Sequence, residues 1–128
     1  MTGGTLTLTK EFDQIAIVVD WLDACRARDL ESLLDLYSQD ASLECACNDR
    51  EMLRGRADLA SYWRPRLRAF SPTAFGVDEI TPDAEGVVLD YISFDGKPVR
   101  IFFVFDADGK IVQTRCQPAG PGSPTLRT

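Results

Sequence analysis

The 128 residues contain no histidine, which removes the side chain most used to move protons near neutral pH and to hold catalytic metals. Cysteine is scarce as well. Cys25, Cys45, Cys47 and Cys116 are too few to staple a chain that can build its own core, and they read as reduced, inert thiols. A zinc site would have to join Cys45-x-Cys47 to Cys116, and the paired C-x-x-C spacing is missing, so no metal and no other cofactor is expected. Basic residues are outnumbered 14 to 20, which leaves a net charge of −6. Nucleic acid and anionic membrane surfaces attract the opposite sign, so neither is expected as a partner. The one dense basic run, Arg64, Arg66 and Arg68, falls within a predicted helix and reads as its solvated face. No apolar run approaches the roughly 20 residues that span a bilayer. Met1 to Thr9 lacks the basic and apolar regions of a secretory leader, and a cytoplasmic location is the expectation.

What is present suits one domain: 45% of residues are hydrophobic and 27% are charged with mixed sign. Ile15, Val18, Val19, Leu22 and Cys25 recur at helical spacing and predict an amphipathic helix over about 10–27, behind a flexible segment at 1–9. Asp29 reads as the N-cap of a shorter helix carrying Leu30, Leu33, Leu34 and Tyr37. Alternation from Asp40 to Cys45 predicts a strand, Asn48-Asp49-Arg50 a turn, and Glu51 to Arg54 a short strand ending at Gly55. A third helix is predicted from about Ala57 to Phe70, with Pro65 expected to kink or divide it. From Thr73 the period becomes strand-like, with runs at about 75–81, 86–94, 98–106 and 111–117. Asp95-Gly96 and Asp108-Gly109 read as two-residue hairpin turns. The Pro- and Gly-rich stretch from Pro118 closes the domain at about 10–118 and leaves 119–128 as a mobile tail.

Four phrases carry a family likeness: Leu22-Asp-Ala-Cys-Arg-Ala-Arg-Asp-Leu30, Leu36-Tyr-Ser-Gln-Asp-Ala-Ser-Leu-Glu44, Arg54-Gly-Arg-Ala-Asp-Leu-Ala-Ser-Tyr-Trp63 and Asp108-Gly-Lys-Ile-Val112. In these phrases, and in the order α-α-β-β-α-β-β-β-β, the chain resembles the SnoaL-like branch of the nuclear transport factor 2-like superfamily. The resemblance implies an α+β fold in which a cone-shaped, curved mixed sheet wraps around helices and encloses an apolar pocket. It also implies a choice of activities, since the superfamily holds isomerases, cyclases, dehydratases, epoxide hydrolases and non-catalytic binding proteins. Aligned on ketosteroid isomerase through Asp29-Leu30, Asp40-Ala41 and Gly109-Lys110, the chain has Trp21, Cys45 and Ile101 where that enzyme has its tyrosine, its catalytic aspartate and its second acid. Trp63 stands where it has a supporting tyrosine. The isomerase residues are therefore not retained.

Hairpin turns fix which side chains share a wall. A two-residue turn at Asp95-Gly96 pairs Ile92 with Val99, Asp90 with Ile101 and Val88 with Phe103. One at Asp108-Gly109 pairs Phe103 with Thr114 and Ile101 with Cys116. The resemblance turns Ile101 inward, so Val88, Asp90, Ile101, Phe103, Thr114 and Cys116 are expected to line the pocket together with Trp21, Cys45 and Trp63. Leu89, Tyr91, Arg100, Phe102 and Val104 are then expected on an outer face that packs against a second copy as a homodimer. Asp90 would be the single carboxylate on an apolar wall, where desolvation suits it to proton transfer. A bulge would flip the register and put Asp90 in solvent or at an interface.

Two functions follow. One is metal-free proton transfer of the isomerase, cyclase or dehydratase type on a small apolar or aromatic compound, with Asp90 as acid or base. The other is a non-catalytic ligand-binding or dimeric interaction domain. Epoxide hydrolysis, which needs two carboxylates and an arginine around one water, ranks below both.

Overall fold

The computed structural model describes the backbone of residues 2–46 and 51–119, and the side chains of 14–46 and 52–119. The expected turn at Asn48-Asp49-Arg50 and the tail beyond Ala119 lie outside the described residues. The elements are α1 (Thr2–Arg26), α2 (Leu30–Asp35), β1 (Tyr37–Cys45), β2 (Glu51–Arg54), α3 (Arg56–Arg68), β3 (Val77–Pro82), β4 (Gly86–Ile92), β5 (Pro98–Phe105) and β6 (Ile111–Pro118). This is an α+β fold in the expected order.

Local chemistry explains most boundaries. The Asp29 carboxylate caps α2, accepting from the Ser32 backbone N–H at 3.1 Å and from the Ser32 hydroxyl at 2.8 Å. Those two bonds hold its carboxyl below the usual range. Tyr37, expected to end the second helix, instead opens β1 and pairs with Ile111. Gly55, at φ 89, leads into α3 and donates its N–H to the Ala41 carbonyl at 2.9 Å. Pro65 does not divide α3. It lies in the last turn, and the carbonyl deprived of a donor belongs to Ser61, an exposed residue that water can satisfy.

The six strands form one mixed sheet in the order β2-β1-β6-β5-β4-β3. Every neighbouring pair is antiparallel except β1 and β6, which run parallel. Helix α1 packs against β4 and α3 against β1. Between helices and sheet lies the core, with Trp21, Leu22 and Cys25 from α1, Leu59 and Trp63 from α3, and Leu89, Ile101, Phe103 and Ile111 from the sheet. Each large apolar side chain buried there contributes roughly 1.5–3 kcal/mol.

The β4–β5 hairpin departs from expectation. Ser93 donates to the Lys97 carbonyl at 2.8 Å and Gly96 to the Ser93 carbonyl at 2.9 Å, with Gly96 at φ 84. The loop is therefore Phe94-Asp95-Gly96, a three-residue connection whose last residue takes the left-handed conformation, and not a two-residue turn. One extra residue moves the register by one. Asp90 pairs with Arg100, Leu89 with Ile101 and Val87 with Phe103. Val88 and Asp90, expected in the pocket, face outward, and Leu89 and Tyr91, expected on the outer face, are buried in the core.

At β5–β6 the same loop recurs. Asp106 donates to the Lys110 carbonyl at 2.9 Å, Gly109 donates to the Asp106 carbonyl at 3.1 Å, and Gly109 also sits at φ 84. Here a bulge between Val104 and Phe105 cancels the shift, and Ile101 pairs with Cys116 and Phe103 with Thr114 as expected.

Candidate functional site

The centre of the fold is occupied by aromatic rings. Trp21, fully buried, meets Trp63, Tyr91 and Phe103 edge-on at centroid distances of 5.5, 5.6 and 5.3 Å. Edge-to-face contacts of this kind favour one arrangement of the rings and stabilise it beyond their area. The Trp21 indole N–H donates to the Tyr37 hydroxyl at 3.1 Å. Burial pushes the Tyr37 phenol up, and the nearby Trp63 and Thr114 side chains soften that shift without reaching good hydrogen-bond geometry. Trp21, Ile101, Phe103 and Thr114 thus stand inside, as expected, but they fill the interior.

A cavity of about 90 Å³ remains between α3 and the ends of β1, β4, β5 and β6. Tyr62, Trp63, Tyr91 and Phe94 give it aromatic walls, and Cys45, Cys116, Arg66, Ser93, Asp95 and Lys97 supply its polar groups. Of the residues expected at the pocket, Cys45, Trp63 and Cys116 line this cavity and Val88 does not. The Tyr62 hydroxyl stands 3.6 Å from the Cys45 sulfur. Burial is the main reason that the Tyr62 and Tyr91 phenols are pushed up. The Arg66 guanidinium lies 3.7 Å above the Tyr62 ring and 5.0 Å from the Phe94 ring, and it donates to the Tyr62 carbonyl at 2.7 Å. Its Nε–H is buried and has no hydrogen-bond partner. Asp95, the carboxylate at this cavity, accepts from the Ser93 hydroxyl and lies 4.0 Å from Lys97.

Asp90 is on the opposite face of the sheet. Arg100 grips it with two bonds, Nε at 2.7 Å and Nη2 at 3.0 Å, and the two side chains are 19% and 29% exposed. The bidentate pair gives Asp90 a structural explanation in place of the catalytic one. Among the described residues the buried polar residues are Ser93 and Thr114, and the charged groups Arg66, Asp95 and Lys97 stand at the cavity.

Residues 18–114 match the SnoaL-like domain. The chain belongs to the SnoaL-like family. No curated protein matches it. Among solved structures, a SnoaL-like protein of unknown function from Burkholderia thailandensis is 21% identical, covers 86% of this chain and 97% of its own, and superposes with a TM-score of 0.74. An NTF-2 like protein of unknown function from Burkholderia xenovorans is 22% identical over 93% of this chain and 95% of its own, with a TM-score of 0.68. A steroid delta-isomerase from Pseudomonas aeruginosa is 21% identical over 88% and 84%, with a TM-score of 0.66. At these identities the likeness speaks for the fold.

In this SnoaL-like chain, sequence reasoning missed Tyr62, Arg66, Ser93, Phe94 and Lys97. Tyr62 and Arg66 are four residues apart on α3, the spacing at which helical side chains meet, and that spacing was the available signal. Arg66 belongs to the run expected to be a solvated face. The hairpin loop that brings in Ser93 to Lys97 had no such signal beyond Asp95-Gly96.

Proposed function

We propose that this SnoaL-like domain binds a small flat molecule that pairs an aromatic or apolar ring with a carboxylate or carbonyl, and that it acts by binding it. The observation that carries this is Arg66: a cation held between the Tyr62 and Phe94 rings, at a cavity, with a buried N–H that has no partner. An unpaired buried donor is costly, and an acceptor atom on a ligand would satisfy it with a charge-assisted bond. The cavity volume limits the ligand. At about 90 Å³ it is smaller than the roughly 150 Å³ that encloses benzene, so a ring enters in part and the rest lies across the mouth by Lys97. Proton transfer of the isomerase, cyclase or dehydratase type needs a base beside the substrate; Asp90, the residue expected to serve, faces outward, and Asp95, the carboxylate at the cavity, is engaged by the Ser93 hydroxyl and lies beside Lys97.

Tryptophan fluorescence reports on the cavity because Trp63 lines it. Titration with benzoate is expected to give a saturable change, weaker with benzyl alcohol, and Arg66→Gln is expected to weaken benzoate binding by about tenfold, or about 1.4 kcal/mol. A flat titration, or an unaltered one in the variant, sinks the proposal.

A homodimer through the outer sheet face is a second proposal, favoured by Phe102 beneath the Arg115 guanidinium at 5.2 Å beside the Asp90–Arg100 pair. Leu89 and Tyr91 drop out of that surface; Val88 and Ile92 join Arg100, Phe102 and Val104 on it. Phe102→Lys should convert dimer to monomer in sedimentation, because it would bury a second cation beside the Arg115 guanidinium, and a wild-type monomer at micromolar concentration would count against the dimer.

A further inference from the structure

Cys45 and Cys116 are register partners on the parallel strands β1 and β6. Neighbouring strands lie roughly 4.8 Å apart, inside the 4.4–6.8 Å range of Cα separations that a disulfide spans. Both side chains line the same cavity. The pairing also continues beyond them, with the Ala46 N–H donating to the Cys116 carbonyl at 3.0 Å, so neither cysteine sits on a frayed strand end. Both are thiols in this structure. They differ in access, since Cys45 is buried behind the Tyr62 hydroxyl and Cys116 is partly exposed at the rim. Cys25 provides the contrast: it is fully buried in the core, and desolvation pushes its thiol far up, which makes it a poor nucleophile.

We propose that Cys45 and Cys116 form a dithiol site at the cavity mouth that exchanges with low-molecular-weight disulfides, such as oxidised glutathione, and closes to an intramolecular disulfide between β1 and β6. The same cavity carries the charged side chains of Arg66, Lys97 and Asp95. Cys116, the accessible thiol, loses its proton and attacks one sulfur of the small disulfide. That S–S bond breaks, and the first glutathione leaves as a thiolate and takes up the proton. Cys45 then gives up its proton and attacks the Cys116 sulfur of the mixed disulfide, and the second glutathione leaves and takes up that proton. Two protein thiols are oxidised and one small disulfide is reduced to two thiols. The closed bridge removes both S–H groups from the cavity wall, including the sulfur that Tyr62 faces, so ligand entry and oxidation state become coupled.

Cys47 lies outside the described residues and shares a tryptic peptide with Cys45, so the test uses the Cys47→Ser protein. The folded protein is equilibrated with oxidised glutathione, trapped with iodoacetamide and digested with trypsin. The expected product joins peptide 29–50 to peptide 116–127, lighter than the sum by two hydrogens, and disappears on treatment with dithiothreitol. Cys25 should label only after unfolding. Further replacement of Cys45 by Ala should leave glutathione held on Cys116, which separates attack from resolution. A bridge to Cys25, a lasting glutathione adduct on Cys116 with Cys45 in place, or no reaction at either thiol in a protein whose circular dichroism is native would overturn the proposal. None of these readouts depends on the benzoate titration, so the two proposals fail independently.

Discussion

The β4–β5 and β5–β6 hairpins carry the same Asp-Gly signal, the same three-residue loop and the same left-handed glycine, yet only one of them has the register that the signal suggests. In β5–β6 a bulge between Val104 and Phe105 absorbs the extra loop residue. In β4–β5 nothing absorbs it, and the whole of β4 turns over. That single residue decides that Leu89 and Tyr91 pack against the core and that Asp90 meets Arg100 outside. The character of a site can thus rest on the length of one hairpin loop, here the loop that also lines the cavity.

The largest effect that would break this comparison is alkaline. Tyr37, Tyr62 and Tyr91 all have phenols pushed above their ordinary 10.0, chiefly by burial. Unfolded tyrosines ionise near pH 10, so the stability these groups supply is complete below that pH and is lost as pH rises toward their folded values. All three should ionise together with loss of the fold, followed by absorbance at 295 nm and circular dichroism. A tyrosine titrating near pH 10 in the native protein, and lost on Tyr91→Phe but not on Tyr62→Phe, would place Tyr91 outside and restore the two-residue turn.

Next comes a matched pair of truncations. Leu89→Ala should lower stability by about 3 kcal/mol and Val88→Ala by about 1 kcal/mol or less in urea unfolding, since Leu89 is fully buried and Val88 faces outward. The reverse order would refute the observed register. Between the turns themselves, Gly96→Ala is expected to lose about 2 kcal/mol and Gly109→Ala about 1 kcal/mol, both from the left-handed backbone. The first loses more because the new Cβ would lie 3.1 Å from Ser71 Oγ, whereas at Gly109 the nearest atom is Ile17 Cδ1 at 3.6 Å. Smallest is the ion pair. Asp90→Asn should lose up to about 1 kcal/mol at pH 7, and adding Arg100→Gln should lose little more, because both changes remove one shared interaction. Equal or greater stability in Asp90→Asn would revive a desolvated, functional Asp90.

The order of elements was legible in the sequence because each rests on local signals: the helical spacing of Val18, Leu22 and Cys25, the cap at Asp29, the alternation of Ala41, Leu43 and Cys45. The aromatic interior was half legible, in that Trp21, Trp63 and Phe103 were expected at a pocket but their mutual packing, set by strands and helices far apart in the chain, was not. Asp90 was expected on the inner wall and lies on the outer face, paired with Arg100. An Asp-Gly dipeptide suits a two-residue turn and a three-residue loop alike, and only the Ser93–Lys97 bonds across the hairpin distinguish them. Arg66 was hidden for a related reason: a basic residue on a helix is usually solvated, and the ring of Phe94 that covers it arrives from that same hairpin.

The place of β6 has a consequence for how the protein emerges from the ribosome. This strand is the last to be synthesised among the described elements, and it takes an inner position, between β1 and β5. Until it arrives, β1 has a neighbour on one side only, and β5 lacks the partner that completes its pairing. The helices are therefore translated well before the sheet that they cover can close. A nascent chain halted before Ile111 would leave the edges of β1 and β5 bare besides the β2 and β3 edges that the finished sheet keeps, and such edges invite pairing with other chains.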